Sequence, residues 1–198
     1  MFVQSSFAAG AGLPQHQLTD RLFFAVFPDD GAAGEIARLA RELRLQHGLK
    51  GKPLAPERLH VSLHHVGDYH DLPQDIVAAA RDIASTISIP RFTVAFNGAA
   101  SFRGRPDNQP FVLRGDDGVV GLTMLQEALG SAMERAGLGL RARHYAPHLT
   151  LLYGDRFVAD RAVAPVVSWT VHEFVLVHSL LGRSRYIRLA RFPLGRQA

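Results

Sequence analysis

Apolar and polar positions follow two different periods along this chain, and together they predict a mixed α+β fold. Positions 60–63 and 148–151 alternate between polar and apolar residues, as a half-buried strand does, whereas 31–48 repeats apolar residues every three or four positions, as an amphipathic helix does. Further helices are predicted at 73–86 and 118–137. With the short apolar runs assigned to strands, the predicted order of elements is β-α-β-α-β-β-α-β-β-β.

Two of the predicted helices carry an apolar stripe that should face the core. The stripe of the first helix consists of Ile36, Leu39, Ala40 and Leu43, and that of the third helix of Leu122, Leu125, Leu129 and Met133. Gly48 is expected to end the first helix, because glycine favours the left-handed conformation of a C-terminal cap. The chain is predicted to close with two strands, at 169–179 and 185–194, and Gly182 in the turn between them.

Length and composition allow one domain with a real core, since the chain has 198 residues of which 47% are hydrophobic. We predict a flexible N-terminal tail at 1–20, which lacks the basic and apolar segments of a signal peptide, and a single domain at 21–198. No apolar run is long enough to span a bilayer, so no membrane partner is expected. The absence of cysteine excludes disulfides, thiolate metal sites and a cysteine nucleophile, and it fits a reducing cytoplasm.

The chain is basic, with 22 Lys and Arg against 18 Asp and Glu and a net charge of +4. Only Lys50 and Lys52 are lysines, so nearly all of the positive charge belongs to arginine, whose planar fork matches phosphate. A GC-rich coding sequence also replaces lysine by arginine throughout a protein. We favour this second explanation, because net charge is a weak guide to partners.

The most informative chemistry lies in two short strings, HVSL at 60–63 and HLTL at 148–151. Each reads His-x-(Ser/Thr)-apolar within a run of strand character. Because alternate side chains of a strand share a face, His60 should lie beside Ser62 and His148 beside Thr150. Two imidazoles, each with a hydroxyl next to it, can converge on one small anionic group. Near pH 7 such a pair can hold one charged and one neutral ring.

These strings and their surroundings resemble the 2H phosphoesterases, specifically the RNA 2′,3′-cyclic phosphodiesterases that are also called 2′-5′ RNA ligases. The run 21–28 resembles the family's opening strand, the runs 55–67 and 146–154 its two signature motifs, and the run 175–194 its closing hairpin. The resemblance implies an α+β, bilobal fold. In that fold two antiparallel sheets face each other across a central groove, with helices on the outside and a pseudo-twofold repeat.

The resemblance also implies a function, the metal-independent hydrolysis of RNA 2′,3′-cyclic phosphate ends to 2′-phosphates, with reverse 2′-5′ ligation at the same site. His60 would then be the general acid and His148 the base, although the residues alone leave the reverse assignment open. Ser62 and Thr150 would donate hydrogen bonds to the non-bridging oxygens. No metal or cofactor is implied, and the sequence contains no GxxxxGK(S/T) phosphate loop. We expect a cytoplasmic monomer.

Two positions depart from the family pattern. Ser62 stands where threonine is common, which keeps the hydroxyl. Tyr153 stands where some relatives carry a basic residue, so the positive charge near the phosphate must come from elsewhere. We predict that Arg143 and Tyr153 contact the substrate. The alternatives to this arginine are Arg103, Arg105 and Arg185.

Several other side chains have both a functional and a structural interpretation. A histidine cluster, in which His64 is expected on the face of His60 and Ser62, could bind zinc, but such clusters are more often loop residues. It consists of His64, His65 and His70. Four aromatic residues could stack on RNA bases, although ordinary packing is favoured for each: Phe102, Phe111, Tyr145 and Tyr153. Arg141, beside Arg143, could hold phosphate or lie on a solvated strand edge.

The sequence leaves two other functions open. One is a related 2H phosphodiesterase that acts on a cyclic nucleotide or a 2′-5′ oligonucleotide. The other is a non-catalytic RNA-binding module. Intact histidines and hydroxyls in both motifs argue against the module, and turnover in the presence of EDTA would separate the possibilities.

Overall fold

The computed structural model describes residues 18–105, 107–142 and 144–195. Most of the expected tail, at 1–17, lies outside the described residues, as does Arg143. The strands are β1 (Asp20–Val26), β2 (Val61–Tyr69), β3 (Phe92–Ser101), β4 (Gln109–Arg114), β5 (His148–Gly154), β6 (Arg161–Val171), β7 (Glu173–Leu180) and β8 (Arg185–Pro193). The helices are α1 (Asp30–Gln46), α2 (Gln74–Ser85) and α3 (Val120–Arg135), with short 3₁₀ turns at Pro56–Arg58 and Asp117–Val119.

The strands form a sheet in the order β6-β3-β4-β5-β2-β1-β7-β8, and all neighbouring strands are antiparallel. The two central strands, β2 and β5, meet through the single pair Val61 and Leu149. The sheet therefore consists of two four-stranded halves. We call β2-β1-β7-β8 the first half and β5-β4-β3-β6 the second half. In each half the strand that carries the His motif lies innermost, next to the strand that precedes it in the chain, as expected of a pseudo-twofold repeat.

Both faces of the sheet are apolar near β1, but only one of them is covered by helices. Leu22, Phe24 and Val26 join one large core cluster to which all three helices contribute. The alternate residues Phe23 and Ala25 point the other way. They form a small separate cluster with two residues of β7, Val175 and Val177. This second face is the one left open for a cleft. Among the described residues, no helix is both long and apolar enough to cross a membrane.

The first helix ends as its sequence predicts, and a side chain caps its start. The Asp29 carboxylate accepts a hydrogen bond from the backbone N–H of Ala32 at 2.8 Å, which caps the N-terminus. Gly48 has a φ of +60° just beyond the last turn. Its N–H and that of Leu49 bond back to carbonyls of the final turn, as in a Schellman motif.

The strands β6 and β7 differ from the prediction. The run 169–179, predicted as one strand, is divided at His172 into β6 and β7, and β6 begins much earlier, at Arg161. The sequence does not predict the early part of β6, because three consecutive exposed residues at 164–166, which include Pro165, break the alternation typical of a strand. They lie where the register between β3 and β6 shifts. Because β6 is an edge strand, it tolerates both the proline and the irregularity.

The stripe of α3 is confirmed, since Leu122, Leu125, Leu129 and Met133 are all fully buried. We expect Leu125→Ala to lower the free energy of unfolding by about 2–5 kcal/mol, because it removes buried methyl groups and leaves a cavity. The neighbouring Met124 is 55% exposed on the same helix, so Met124→Ala is the matched control and should change stability by less than about 0.5 kcal/mol. Urea unfolding followed by circular dichroism measures both, and equal losses would contradict this placement of the core.

Candidate active site

The two motif histidines are held in the same way. His60 directly precedes β2, and its Nδ1 lies 2.8 Å from the carbonyl oxygen of Arg58. His148 is the first residue of β5, and its Nδ1 lies 2.8 Å from the carbonyl oxygen of Ala146. Because a carbonyl oxygen can only accept, each Nδ1 must carry a hydrogen and donate it. In both rings Nε2 is therefore the nitrogen that is left to take or give a proton.

Each ring also has its predicted hydroxyl nearby on the strand. The Oγ of Ser62 lies 3.1 Å from Nε2 of His60. Thr150 follows His148 at the same spacing and is half-buried. Both rings and both hydroxyls line one cleft of about 580 Å³. The structure thus brings together the four residues of the two motifs.

The pairing at the centre of the sheet explains why the motifs meet. Val61 and Leu149, the only pair between β2 and β5, each directly follow a motif histidine. Both side chains are fully buried in the core cluster. Since alternate residues of a strand face opposite sides, the histidines before them are directed to the open face. The two halves of the sheet therefore place their motifs side by side.

Aromatic rings surround the histidines unequally. The ring centroid of His60 lies 5.3 Å from that of Phe23, 5.4 Å from that of Tyr186 and 5.9 Å from that of Phe27. His148 has one such neighbour, Phe102, at 4.8 Å. These rings exclude water from the imidazoles without replacing its hydrogen bonds. The consequence is a lower affinity of both histidines for a proton.

Burial lowers the pKa of His60 to about 4, more than the hydrogen bond to the Arg58 carbonyl raises it. The nearby positive charges of His148 and Arg58 act in the same direction as burial. Burial also lowers the pKa of His148, against its own bond to the Ala146 carbonyl. Because a proton on His148 disfavours one on His60, the pair is biased against carrying two protons at once.

The cleft contains two arginines that differ in their partners. Arg21 is bound to Asp68 through two hydrogen bonds of 2.7 and 2.8 Å, which lower the pKa of that carboxyl to about 2. Arg58 forms no ion pair within the described residues, and its Nε is buried without a hydrogen-bond partner. Its guanidinium carbon lies 5.2 Å from the ring centroid of Tyr186. Arg58 is therefore available to an anion in the cleft.

Comparison with known proteins places this geometry in a family. The model of the 2′-5′ RNA ligase superfamily matches residues 28–183. The chain belongs to that superfamily. It therefore belongs among the 2H phosphoesterases, as the two motifs suggested. A search of curated proteins by sequence finds no match.

Solved structures of the superfamily share the whole fold. A crystal structure described as a phosphoesterase is 28% identical with a TM-score of 0.72, covering 89% of this chain and 99% of its own. E. coli LigT in its apo form is 27% identical with a TM-score of 0.72, covering 91% of this chain and 100% of its own. E. coli LigT complexed with 3′-AMP is 29% identical with a TM-score of 0.71, covering 90% and 99%. The 2H-type α+β fold expected from the sequence is thereby confirmed.

The other residues predicted to contact substrate are placed differently. Tyr153 lines the cleft with 46% of its surface exposed, and burial of its hydroxyl raises its pKa. Arg143 lies outside the described residues. Of the alternatives to it, Arg103 lines a more apolar pocket that shares Ser62 and His148 with the cleft, and Arg185 lines a cavity next to the cleft. Arg105 lines neither the cleft nor these two cavities.

Sequence reasoning missed Arg21 and Arg58 as residues of the cleft. Arg58 lies two residues before His60 in the string PERLH, which is the only signal that could have pointed to it. The spacing from His60 does not by itself place the Arg58 side chain in the cleft, because Arg58 belongs to a 3₁₀ turn and not to β2. Period-two alternation therefore says nothing about where its side chain points.

Tyr145 has a structural role that ties the two motifs together. Its hydroxyl donates a 2.9 Å hydrogen bond to the carbonyl oxygen of Ser62, across the boundary between the halves. Burial raises the pKa of this hydroxyl, so it remains a donor. The interpretation of Phe111 as a packing residue is also correct, since it is almost fully buried in the core.

The expected position of His64 is wrong. Strict alternation predicts it on the face of His60 and Ser62, but β2 has two register shifts against β1. After the first shift His64 turns to the helix-covered side, where it is 4% exposed and its Nε2 lies 2.8 Å from the Leu138 carbonyl oxygen. His65 is exposed and lies 2.9 Å from Asp68. Across 18–105, 107–142 and 144–195, no cluster of three or more histidines and carboxylates is arranged to hold a metal ion.

We expect the His60 ring of the free protein to titrate near pH 4 and not near its ordinary value of 6.5. Inorganic phosphate should raise this midpoint, because an anion in the cleft stabilises the charged imidazolium. NMR titration of the imidazole carbon-bound protons measures both effects, and the His60→Gln variant identifies the resonance. A midpoint near 6.5 that phosphate leaves unchanged would contradict the described surroundings of this ring.

Proposed function

We propose that this protein hydrolyses RNA 2′,3′-cyclic phosphate ends to 2′-phosphates by paired histidine acid–base catalysis. One observation carries the proposal: two imidazoles are tethered identically through Nδ1, each has a hydroxyl two residues on, and both line one cleft. A site with two such halves suits a phosphorus atom approached from both sides. The phosphoesterase superfamily to which the chain belongs supports the same reaction class.

The proposed reaction is an in-line displacement at phosphorus. Nε2 of His148 takes a proton from water as the water oxygen forms a bond to phosphorus. The bond between phosphorus and the 3′ oxygen breaks, and Nε2 of His60 gives its proton to that oxygen. The products are a 2′-phosphate and a free 3′-hydroxyl. This assignment of roles follows the family resemblance, and exchange of the two histidines is the alternative.

The electrostatics of the cleft suit His60 as the general acid and His148 as the general base. With its pKa lowered to about 4, His60 holds a proton only when an anion compensates the charge, and it then gives the proton up readily. The bias against two protons keeps the second ring neutral, as a general base requires. Ser62 and Thr150 can donate hydrogen bonds to the non-bridging oxygens, where negative charge increases in the transition state. Both proton transfers are assigned to imidazole, so the proposal requires no metal.

The same arrangement supports 2′-5′ ligation. If the 5′-hydroxyl of a second RNA replaces water, attack on the cyclic phosphate forms a 2′-5′ linkage and frees the 3′ oxygen. One P–O bond forms as another breaks, and opening the strained cyclic phosphate makes the exchange favourable, so no nucleotide cofactor takes part. That E. coli LigT binds 3′-AMP supports a nucleotide substrate here. The cytoplasmic location and the monomeric state expected from the sequence remain predictions.

Replacing either motif histidine should remove most of the activity. We expect His60→Ala and His148→Ala each to lower kcat on a cyclic-phosphate-ended oligoribonucleotide by about 10²–10⁴-fold, the usual contribution of a general acid or base. The assay is run in EDTA and separates 2′- from 3′-phosphate products chromatographically.

His172→Ala is the control for this experiment, because His172 is exposed in the connection between β6 and β7. It should retain full activity. If EDTA abolishes turnover, the metal-independent mechanism is wrong. If RNA binds but is never cleaved, the protein is the non-catalytic binding module instead.

The hydroxyls of the motifs can be tested separately from the rings. We expect Ser62→Ala and Thr150→Val each to lower kcat by about 10–10³-fold with little change in KM, because their hydrogen bonds should strengthen only as charge develops on the phosphate. Ser62→Thr and Thr150→Ser keep a hydroxyl and are the matched controls. If the hydroxyl-free variants match these controls in kcat, neither residue stabilises the transition state.

A further inference from the structure

A second cavity of about 320 Å³ adjoins the catalytic cleft at the end of the β7–β8 hairpin. We call it the basic cavity, and its lining residues are Glu57, Arg58, Ser184, Arg185, Tyr186 and Arg188. Three of these residues, Arg58, Ser184 and Tyr186, also line the catalytic cleft. The two spaces therefore share a wall, and a ligand can extend from one into the other.

The basic cavity has an excess of positive charge. It brings together three guanidinium groups and one carboxylate, that of Glu57. Within the part of the chain that the structure describes, Arg58, Arg185 and Arg188 form no ion pair, whereas Arg21, Arg114 and Arg191 each bind an acidic side chain. Uncompensated arginines that line a concave surface point to an anionic ligand.

Aromatic rings hold two of these arginines in place. The guanidinium carbon of Arg188 lies 4.2 Å from the ring centroid of Phe27, and that of Arg58 lies 5.2 Å from the ring centroid of Tyr186. A cation–π contact does not use up the N–H donors of the guanidinium, so they remain available for oxygen atoms. Arg188 also lies two residues after Tyr186 on β8, so both face the same side of the strand.

We propose that the basic cavity binds the internucleotide phosphodiester that precedes the cyclic-phosphate nucleotide, through Arg185 and Arg188. This inference rests on the proposed function and deepens it, because it makes an oligonucleotide the substrate in preference to a mononucleotide. Consecutive phosphates of one strand lie one nucleotide apart. Arg58 lines both spaces, so it stands between the two phosphates and can contact either.

Three probes isolate the contribution of this phosphate. They are adenosine 2′,3′-cyclic phosphate, the diadenosine dinucleotide with the same cyclic end, and that dinucleotide with an uncharged methylphosphonate linkage. We expect kcat/KM to be about tenfold higher for the natural dinucleotide than for the mononucleotide, mainly through a lower KM, since charge-assisted hydrogen bonds to one phosphate are gained. The methylphosphonate should lose this advantage.

The double variant Arg185→Ala/Arg188→Ala tests the named residues. It should lower kcat/KM about tenfold more for the natural dinucleotide than for the mononucleotide. Arg183→Ala is the matched control, because Arg183 is exposed in the same hairpin and lines neither space. Arg188→Lys keeps the charge and should retain most of the dinucleotide preference, which separates charge from packing against Phe27.

The inference is overturned if the double variant lowers kcat/KM equally for the mononucleotide and the natural dinucleotide. It is also overturned if the methylphosphonate dinucleotide is cleaved as well as the natural dinucleotide, or if Arg183→Ala lowers the dinucleotide preference as much as the double variant does. If no probe is hydrolysed, the proposed function fails, and the cavity is then judged by binding alone. Calorimetry compares adenosine 2′-phosphate with the dinucleotide that ends in a 2′-phosphate. The phosphate site in the cavity is confirmed if the dinucleotide binds about tenfold more tightly than adenosine 2′-phosphate and the double variant loses this difference. Any other result rejects the site.

Discussion

One pair of buried residues, Val61 and Leu149, decides the geometry on which the rest of this structure depends. It is the only pairing between the two central strands, and each member directly follows a motif histidine. The aliphatic side chains fill the core, which directs the imidazoles before them to the open face. A shift of either strand by one residue would bury its histidine and expose its leucine or valine, so core packing and active-site geometry are enforced by the same contact.

The site is built from two similar halves in different surroundings. Each half supplies its own carbonyl tether and its own hydroxyl, so the local geometry repeats. The surroundings do not repeat, because three aromatic rings lie around His60 and one lies beside His148. Burial lowers both pKa values, and the charge of one ring opposes protonation of the other. A near-symmetric fold thus places its two motif histidines in different surroundings.

Local patterns predicted much of this protein, and the exceptions arise where strands distant in sequence pair. The apolar stripe of α3 and the end of α1 at Gly48 follow from periodicity and backbone preference, which act over a few residues. The alternation around His60 and His148 likewise predicted which neighbours are buried. Prediction failed at His64, where β2 shifts register, and at β6, where Pro165 interrupts an edge strand. Both features depend on a partner strand that is distant in sequence.

The sequence by itself determined the chemistry of each motif, because a histidine and a hydroxyl two residues apart on a strand must share a face. It also determined the family, through four short matches in order. Only the tertiary structure decided which charges reach the cleft: Arg21 is bound to Asp68, whereas Arg58 is left without an acidic partner. The reason is that an arginine's partner is set by contacts between elements far apart in the chain, and those contacts exist only once the elements have packed together, as β1 and β2 do for Arg21 and Asp68.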